Sequence, residues 1–234
     1  PTILAVFVIL LRYKGEVTYM SDVISDVTNN ITNTAKIVGY VVSSPEIHHS
    51  THGEDFYEFS VRVPRLNSSA SDIIRVEISD RVYDVNKIDK DAIVSIEGQF
   101  RSFNEHNSET GKISLRLFLF TKDIEILDSV EEFTNKITLR GFICKDVVHR
   151  RTPGGREISD VILSVNRLYN KSDYIPCVVW GRNSKYVSSM GVGTEIEFVG
   201  RIQSRVYTKK FSDGSTLERE VYEVSVSDVT KISD

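Results

Sequence analysis

The stretch Lys36-Ile37-Val38-Gly39-Tyr40-Val41 returns later in the chain as Thr138-Leu139-Arg140-Gly141-Phe142-Ile143, with the glycine at the same place in both. The offset between the two stretches is 102 residues. The same offset joins Val61–Leu66 to Leu163–Leu168 and Glu97-Gly98 to Val199-Gly200. One constant offset over several landmarks predicts two copies of one domain.

We place the first copy at residues 33–128, a linker at 129–134 and the second copy at 135–234. Residues 1–32 then form an N-terminal extension. Its apolar run from Ile3 to Leu11 is shorter than the roughly 20 residues that span a bilayer. Our hypothesis is that residues 1–19 are translated upstream sequence and that the native protein starts at Met20; the alternative is an apolar strand or helix that packs on a domain.

The composition indicates a soluble, mainly β protein. Of the 234 residues 40% are hydrophobic and 26% charged, which excludes a disordered chain and a polytopic membrane protein. There are 29 Val and 23 Ile but only 4 Ala, and β-branched side chains favour strands. Two cysteines cannot form a disulfide framework, so a reducing compartment is expected.

Each copy is predicted as five strands with one short helix between the third and fourth strands. The second copy shows this order most clearly: a first strand around Gly141, a turn at Pro153–Gly155, strands at 157–167 and 174–180, a helix at 182–190, and strands at 194–205 and 220–229. Five strands with one helix in this position is the order of the OB-fold, a barrel that binds oligonucleotides and oligosaccharides. The predicted fold class is therefore all-β, as two tandem OB-folds.

The second copy also resembles a known family. The motifs Asn135-Lys136-Ile137, Thr152-Pro153-Gly154-Gly155, Leu163–Arg167, Asp173–Arg182 and Val199–Arg205 are similar, in this order, to those of bacterial and phage single-stranded DNA-binding proteins. The first copy keeps the framework but lacks many of these residues. The resemblance implies sequence-nonspecific binding of single-stranded DNA in replication, recombination or repair, in the bacterial cytoplasm at the nucleoid.

Such binding needs flat rings on which bases stack and cations that follow the phosphates. The predicted stacking residues are Tyr169, Tyr174, Trp180, Tyr207 and, in the first copy, Phe103. Tyr174 and Trp180 are an even number of residues apart, so an unbroken strand points both to one side. For Trp180 and Tyr169, packing in the core is the alternative.

Charge favours the second copy as the binding half. Residues 33–128 carry 11 Lys or Arg and 16 Asp or Glu, whereas residues 135–234 carry 16 and 12. Lys and Arg side chains that bind phosphates release the counterions condensed on the DNA, which favours binding. The basic half should therefore bind more tightly. The predicted phosphate contacts are Arg150, Arg151, Arg156, Arg167, Arg182, Arg201, Arg205, Lys209 and Lys210.

The first copy has Leu66, Ile73 and Ser79 where the second has Leu168, Tyr174 and Trp180. Its stacking platform is therefore reduced, and we expect it to serve assembly or weak contacts. Family members commonly assemble four barrels, which by analogy predicts a homodimer. The acidic C-terminal tail that recruits replication and recombination proteins in many members is missing after Thr230, so recruitment by that route is in doubt.

No catalytic, metal or cofactor site is predicted. The sequence lacks a phosphate-binding loop, a zinc-protease motif and a nucleophile with a base. His48, His49 and His52 are interpreted as a solvated loop and not as a metal site. The alternatives to DNA binding are an OB-fold module that docks on primosome or replication proteins, and an RNA-binding OB protein.

Overall fold

The structure is a computed structural model that describes residues 11–13, 16–18, 32–66, 68–106, 111, 113–167, 171–210 and 216–233. Within these ranges the side chains of 11–13, 16–18, 207, 209, 210 and 217–219 are not described. The strands are β1 (Leu11–Tyr13), β2 (Glu16–Thr18), β3 (Asn33–Val41), β4 (Glu46–Thr51), β5 (Glu54–Pro64), β6 (Ser71–Ser79), β7 (Ile93–His106), β8 (Ile113–Leu127), β9 (Asn135–Ile143), β10 (Val148–Arg151), β11 (Glu157–Arg167), β12 (Lys171–Trp180), β13 (Glu195–Lys210) and β14 (Thr216–Ser233). Helix α1 spans Gly181–Ser188, and a 3-10 turn spans Val85–Lys87.

Strands β1 and β2 form a small antiparallel hairpin, which is a unit separate from residues 33–234. None of the helices in the described ranges has the length and apolar character needed to cross a bilayer.

Each copy closes into a five-stranded barrel. In the first copy β3 pairs with β5 and β7, β5 pairs with β6, and β7 pairs with β8. A short parallel pairing of β6 with β8 closes the ring. The second copy repeats this pattern with β9, β11, β12, β13 and β14, and β12 runs parallel to β14. The OB-fold prediction is confirmed for both copies.

The barrels close around alternating apolar side chains. On β11, Val161, Leu163 and Val165 are fully buried, while the residues between them face outward. On β5, Phe59, Val61 and Val63 do the same in the first barrel. Period-two alternation is what a strand with one buried face requires, and it fixes the register of each strand.

Two features differ from the sequence prediction. Each barrel carries an extra short edge strand, β4 or β10, which pairs with the second strand of its barrel. His48 and His49 therefore lie on β4 and not in a loop; only His52, with a left-handed φ of 53°, lies in the turn. The predicted helix of the first copy is a single 3-10 turn, which is enough to bury Val85 and Ile88.

The two barrels share one sheet because their first strands pair. Strand β3 runs antiparallel to β9 from Asn33 opposite Leu139 to Ile37 opposite Asn135. Asn33 and Asn135 stand at equivalent ends of this pairing. The amide of Asn33 donates to the Phe100 carbonyl and accepts from the Phe100 N–H, at 2.6 and 3.0 Å.

A second, reciprocal contact joins the barrels. The carboxylate of Asp72 accepts from the backbone N–H of Ser204 at 3.2 Å, and the Ser204 hydroxyl accepts from the N–H of Ile73 at 2.8 Å. On the other side, Asp173 accepts from the N–H of Ser102 at 2.6 Å, and the Ser102 hydroxyl accepts from the N–H of Tyr174 at 2.9 Å. We call these two contacts the Asp–Ser clamp. The hairpin of each barrel is thus held against the third strand of the other barrel.

Candidate nucleic-acid interface

The outer face of β12 carries two predicted stacking residues. Asp173, Ile175, Cys177 and Val179 point inward and are at most 1% exposed. Of the even-numbered residues, Tyr174 is 49% exposed and Trp180 is half-buried, whereas Val178 between them is buried. The rings of Tyr174 and Trp180 therefore lie on the same face of the strand, outside the core.

Trp180 is held in a defined orientation. Its indole N–H donates to the Ser225 hydroxyl on β14 at 3.1 Å. The chain then turns at Gly181, whose φ of 58° lies in the left-handed region that favours glycine, and α1 begins there. A half-buried ring whose only polar atom is already bonded leaves its remaining exposed surface free for an apolar ligand.

Trp180 lies between two surface depressions. One is lined by Arg151, Gly155, Arg156, Glu157 and Gly181. The other continues past Gly200, Arg201 and Ser225 to Leu66 and Phe133. Both depressions include Trp180 in their walls, so together they form one groove across the second barrel.

The far end of this groove reaches the linker and the first copy. Leu66, Phe133, Asn135 and Arg201 also line a third, adjoining depression that includes Arg65. Phe133 packs on Tyr40 with ring centroids 5.0 Å apart. Sequence reasoning missed Phe133, because a single aromatic residue in an acidic linker gives no periodic signal.

Of the other three predicted stacking residues, one has a described side chain, and it is exposed. Phe103 lies on β7 and is 59% exposed, next to the clamp residue Ser102. Tyr207 lies on β13, but its side chain is outside the described part of the structure. Tyr169 lies outside the described residues altogether.

Three predicted phosphate contacts form ion pairs through exposed arginine side chains. Arg150 bonds to Asp160 at 2.5 and 3.1 Å, Arg151 lies 3.2 Å from Glu157, and Arg205 lies 3.4 Å from Glu223. The Arg150–Asp160 pair is exposed on both sides, and such pairs are worth roughly 0–1 kcal/mol, so a phosphate can replace the carboxylate there at little cost. The Glu223 side chain is only 11% exposed, so its pairing with Arg205 is costlier to give up.

Two others pair with buried aspartates of the clamp. Arg201 contacts Asp72 at 2.5 Å across the two copies, and Arg167 lies 3.0 Å from Asp173. Both carboxylates are at most 1% exposed. Burial raises the pKa of Asp173, whereas the N–H of Ser102 and the guanidinium of Arg167 oppose that rise. Asp72 is also bound by Arg65, at 3.0 and 2.6 Å, so it keeps a partner without Arg201. Because a buried carboxylate is costly to leave unpaired, Arg167 has a structural role, and the contact of both arginines with phosphate stays a prediction.

A third arginine, Arg101, sits beside the clamp. Its guanidinium lies 3.6 Å from the centroid of the Phe120 ring. Burial and the like charge of Arg167 lower its pKa to about 10. Two guanidinium groups thus share the single carboxylate of Asp173.

Arg156 lines the depression beside Trp180, and Arg182 follows Gly181, which lines the same depression. Both are exposed, and within the described ranges neither forms an ion pair. They are the two predicted contacts most readily available to a phosphate. Lys209 and Lys210 lie at the end of β13, but their side chains are not among those described.

Comparison with known proteins agrees with this geometry. Residues 134–232 match the model of the single-strand binding protein family. The chain is 34% identical over 80 residues to single-stranded DNA-binding protein 1 of Staphylococcus aureus strain COL, a match that covers 31% of this chain and 48% of that protein. It is also 34% identical over 80 residues to single-stranded DNA-binding protein 1 of Streptococcus pyogenes serotype M18, covering 62% of that protein.

The chain thus spans about half the length of most of the curated relatives it matches. Among solved structures, the single-stranded DNA binding protein from Thermus aquaticus has the same fold, with a TM-score of 0.67 and 16% identity. That likeness covers 86% of this chain and 93% of the other, so it includes both barrels. Over residues 134–232 the second copy, with its motifs and its barrel, is thus similar to the single-strand binding protein family.

Proposed function

We propose that this chain binds single-stranded DNA without reading its sequence, by stacking bases on Tyr174 and Trp180. The observation that carries the proposal is that both rings lie on the outer face of β12 and not in the core. Base stacking on an aromatic side chain is worth about 1–3 kcal/mol per base and tolerates any base, since every base has a π-face.

The phosphates would follow the cations around Trp180. Arg156 and Arg182 are exposed there, and Arg151 can exchange Glu157 for a phosphate. Acidic side chains also lie on this face, but Asp160, Glu157 and Glu223 each face an arginine. When Arg151 turns to a phosphate, Glu157 keeps its contact with Lys185 at 3.1 Å, so its negative charge stays paired.

The first copy would contribute at the edges of this surface. The groove from Trp180 ends on Leu66 and Phe133, and exposed Phe103 lies on a first-copy strand held against β12 by the clamp. A DNA strand that leaves Trp180 along the groove reaches the first copy without crossing the barrel core. This supports a role of the first copy in assembly and weak contacts, with the second copy as the main binding half.

We further propose that the protein serves replication, recombination or repair in the bacterial cytoplasm, as a homodimer with four barrels. Light scattering coupled to size-exclusion chromatography would give twice the mass of the chain for the dimer. A mass equal to one chain over the micromolar range would exclude it.

Fluorescence of Trp180, the only tryptophan, tests the DNA-binding proposal directly. We expect oligo(dT) to quench this fluorescence strongly, and oligo(rU) and duplex DNA to quench it weakly at the same concentration. The variant Tyr174→Ala should bind oligo(dT) about 5- to 150-fold more weakly, which corresponds to one stacked base. Tyr186→Ala is the matched control, because Tyr186 is 48% exposed, much as Tyr174 is, but lies on α1 and not on the outer face of β12.

The other outcomes would contradict the proposal in distinct ways. Equal quenching by oligo(rU) would indicate an RNA-binding protein. An unchanged spectrum with all three nucleic acids would favour the docking module. If Tyr174→Ala and Tyr186→Ala weakened binding equally, the loss would not come from the β12 face.

A further inference from the structure

A β-bulge on β4 brings two neighbouring histidines together. Ile47 pairs with Tyr57 and His49 pairs with Phe56, so His48 has no partner across the ladder. Neighbouring side chains on a regular strand point to opposite faces, and a bulge changes that direction locally. Here the Nδ1 atoms of His48 and His49 approach to 2.9 Å.

A carboxylate from another strand completes the cluster. Glu77 lies on β6, two strands away in the sheet, and its Oε2 is 3.8 Å from Nδ1 of His48. The two Nδ1 atoms and this carboxylate oxygen all lie within 4.8 Å of one another. The Glu77 side chain is 5% exposed, whereas that of His48 is 35% exposed, so the cluster opens to solvent on the histidine side.

Charged side chains surround Glu77. A single buried guanidinium, that of Arg116, faces Glu58, Glu77 and Glu105. Arg75 lies 3.4 Å from Glu58, and the charge of Glu77 opposes the lowering of the Arg101 pKa. Three carboxylates and three guanidinium groups balance in charge, so the attraction for a cation would come from the donor atoms of the cluster.

The imidazole rings are held in place by aromatic contacts. His49 stacks on the buried Phe56 ring, with centroids 4.7 Å apart and planes 5° apart. His48 meets His49 edge-on at 5.1 Å. The two nitrogens are therefore positioned by packing, as ligands are in a preorganised metal site.

We propose that His48, His49 and Glu77 bind one divalent transition-metal ion of the zinc class, with water in the open positions. Imidazole nitrogen and carboxylate oxygen are the donors that Zn²⁺ and Co²⁺ take in sites with three protein ligands. In the hydrogen-bonded pair one ring carries its proton on Nδ1; when both Nδ1 atoms bind the metal ion, that proton moves through solvent to Nε2 of the same ring, so both imidazoles bind as neutral ligands. Glu77 keeps its contact with Arg116 and offers a remaining carboxylate lone pair.

The second copy carries positively charged side chains at the positions equivalent to the two histidines. Residues 102 positions after His48 and His49 are Arg150 and Arg151, on the equivalent edge strand β10. A bound ion would place positive charge on the acidic first copy at the place where the second copy has two arginines.

Metal titration of the full-length, tag-free chain tests the proposal. After treatment with a chelator, the protein is titrated with Zn²⁺ by calorimetry and with Co²⁺ by its visible absorption. We expect one ion per chain, and at least about tenfold weaker binding in His48→Ala and in His49→Ala. Glu77→Gln, which keeps a hydrogen-bond acceptor for Arg116, should also weaken binding.

The control is His52→Asn, because Asn tolerates the left-handed φ of the turn, and within the described residues the His52 ring bonds only to the Thr51 hydroxyl. Its affinity should equal that of the unmodified chain. Circular dichroism melts establish that every variant is folded. The proposal is overturned if the unmodified chain shows no saturable binding, or if the His48→Ala, His49→Ala double variant binds as tightly as the unmodified chain.

Discussion

At the scale of single residues, the repeated glycines have a packing reason. A Cβ atom on Gly141 would lie 2.3 Å from the Ser164 carbonyl oxygen, and one on its counterpart Gly39 would lie 2.5 Å from the Arg62 carbonyl oxygen. Both distances are far below van der Waals contact with backbone that cannot move aside. The constant offset of the glycines therefore marks where two strands of each barrel cross closely.

We expect Gly141→Ala to lower the free energy of unfolding by about 1–3 kcal/mol, the usual cost of forcing extra atoms into a packed site. Urea denaturation followed by circular dichroism measures this. Gly191→Ala is the control, because a Cβ at Gly191 meets nothing within 4 Å and its φ is not left-handed. Equal stability of the two variants would show that the barrel accommodates the methyl group.

Single residues also show where sequence reasoning ends. The parity of Tyr174 and Trp180 predicted their common face, because side-chain direction on a strand is a local property. The partner of Arg201 could not be predicted: Asp72 lies in the other copy, and only the packing of the two barrels brings it within 2.5 Å. The approach of Glu77 to His48 has the same origin, since it depends on a bulge and on three paired strands.

At the scale of the element, two asparagines end the pairing between barrel strands. Asn135 donates to the Ile202 carbonyl and accepts from the Ile202 N–H, at 2.8 and 2.9 Å, as Asn33 does with Phe100. The side-chain amide thus takes the place of a backbone partner where β9 leaves β13 and turns to β3. Without it, two backbone groups of β13 would lose their partners.

Asn135→Ala should therefore destabilise the protein by about 1–3 kcal/mol, the cost of leaving a buried polar group unsatisfied. Thermal unfolding by calorimetry is the measurement. Asn183→Ala serves for comparison, because the amide of Asn183 donates a single exposed hydrogen bond to the Ser227 carbonyl. A melting temperature unchanged in Asn135→Ala would mean that water replaces the amide.

Strand number was predictable in part. Alternation of apolar and polar residues identified the five core strands of each copy, because those strands bury one face. Edge strands β4 and β10 escaped, since all of their residues are exposed and no alternation is selected. Strand β13 also runs further than the predicted 194–205, to Lys210, where polar residues continue the ladder.

At the scale of the whole molecule, the charge difference between the copies should control salt dependence. For single strands the logarithm of affinity falls with the logarithm of salt concentration, with a slope of about 0.7 per phosphate neutralised. Arg156 and Arg182 are exposed cations of the basic copy, the first in the groove wall and the second next to its lining residue Gly181. Lys90 is an exposed cation of the acidic copy.

The double variant Arg156→Ala, Arg182→Ala should lower the magnitude of this slope for oligo(dT) by up to about 1.4, whereas Lys90→Ala should leave it unchanged. Fluorescence titrations between low and physiological salt give the slope. A slope that falls equally in both variants would mean that the strand follows general charge and not the groove.

The repeat predicted two barrels but not how they pack. The clamp consists of serines and aspartates, and no sequence pattern shows that these residues contact each other. Their equivalence is visible afterwards: Ser102 and Ser204 share the 102-residue offset, as do Asn33 and Asn135. Gln99 and Arg101 of the first copy correspond to Arg201 and Gln203, so the arginine and glutamine have exchanged places.

The β3–β9 pairing has a consequence for how the molecule behaves on dilution. Two identical barrels held only by such a pairing would separate at low concentration, and every substitution would change both at once. Here one polypeptide carries both, so the local concentration of each barrel around the other is fixed by the linker and the contact persists in a dilute solution. Each half is also free to acquire its own surface, as the acidic and basic halves of this chain have done.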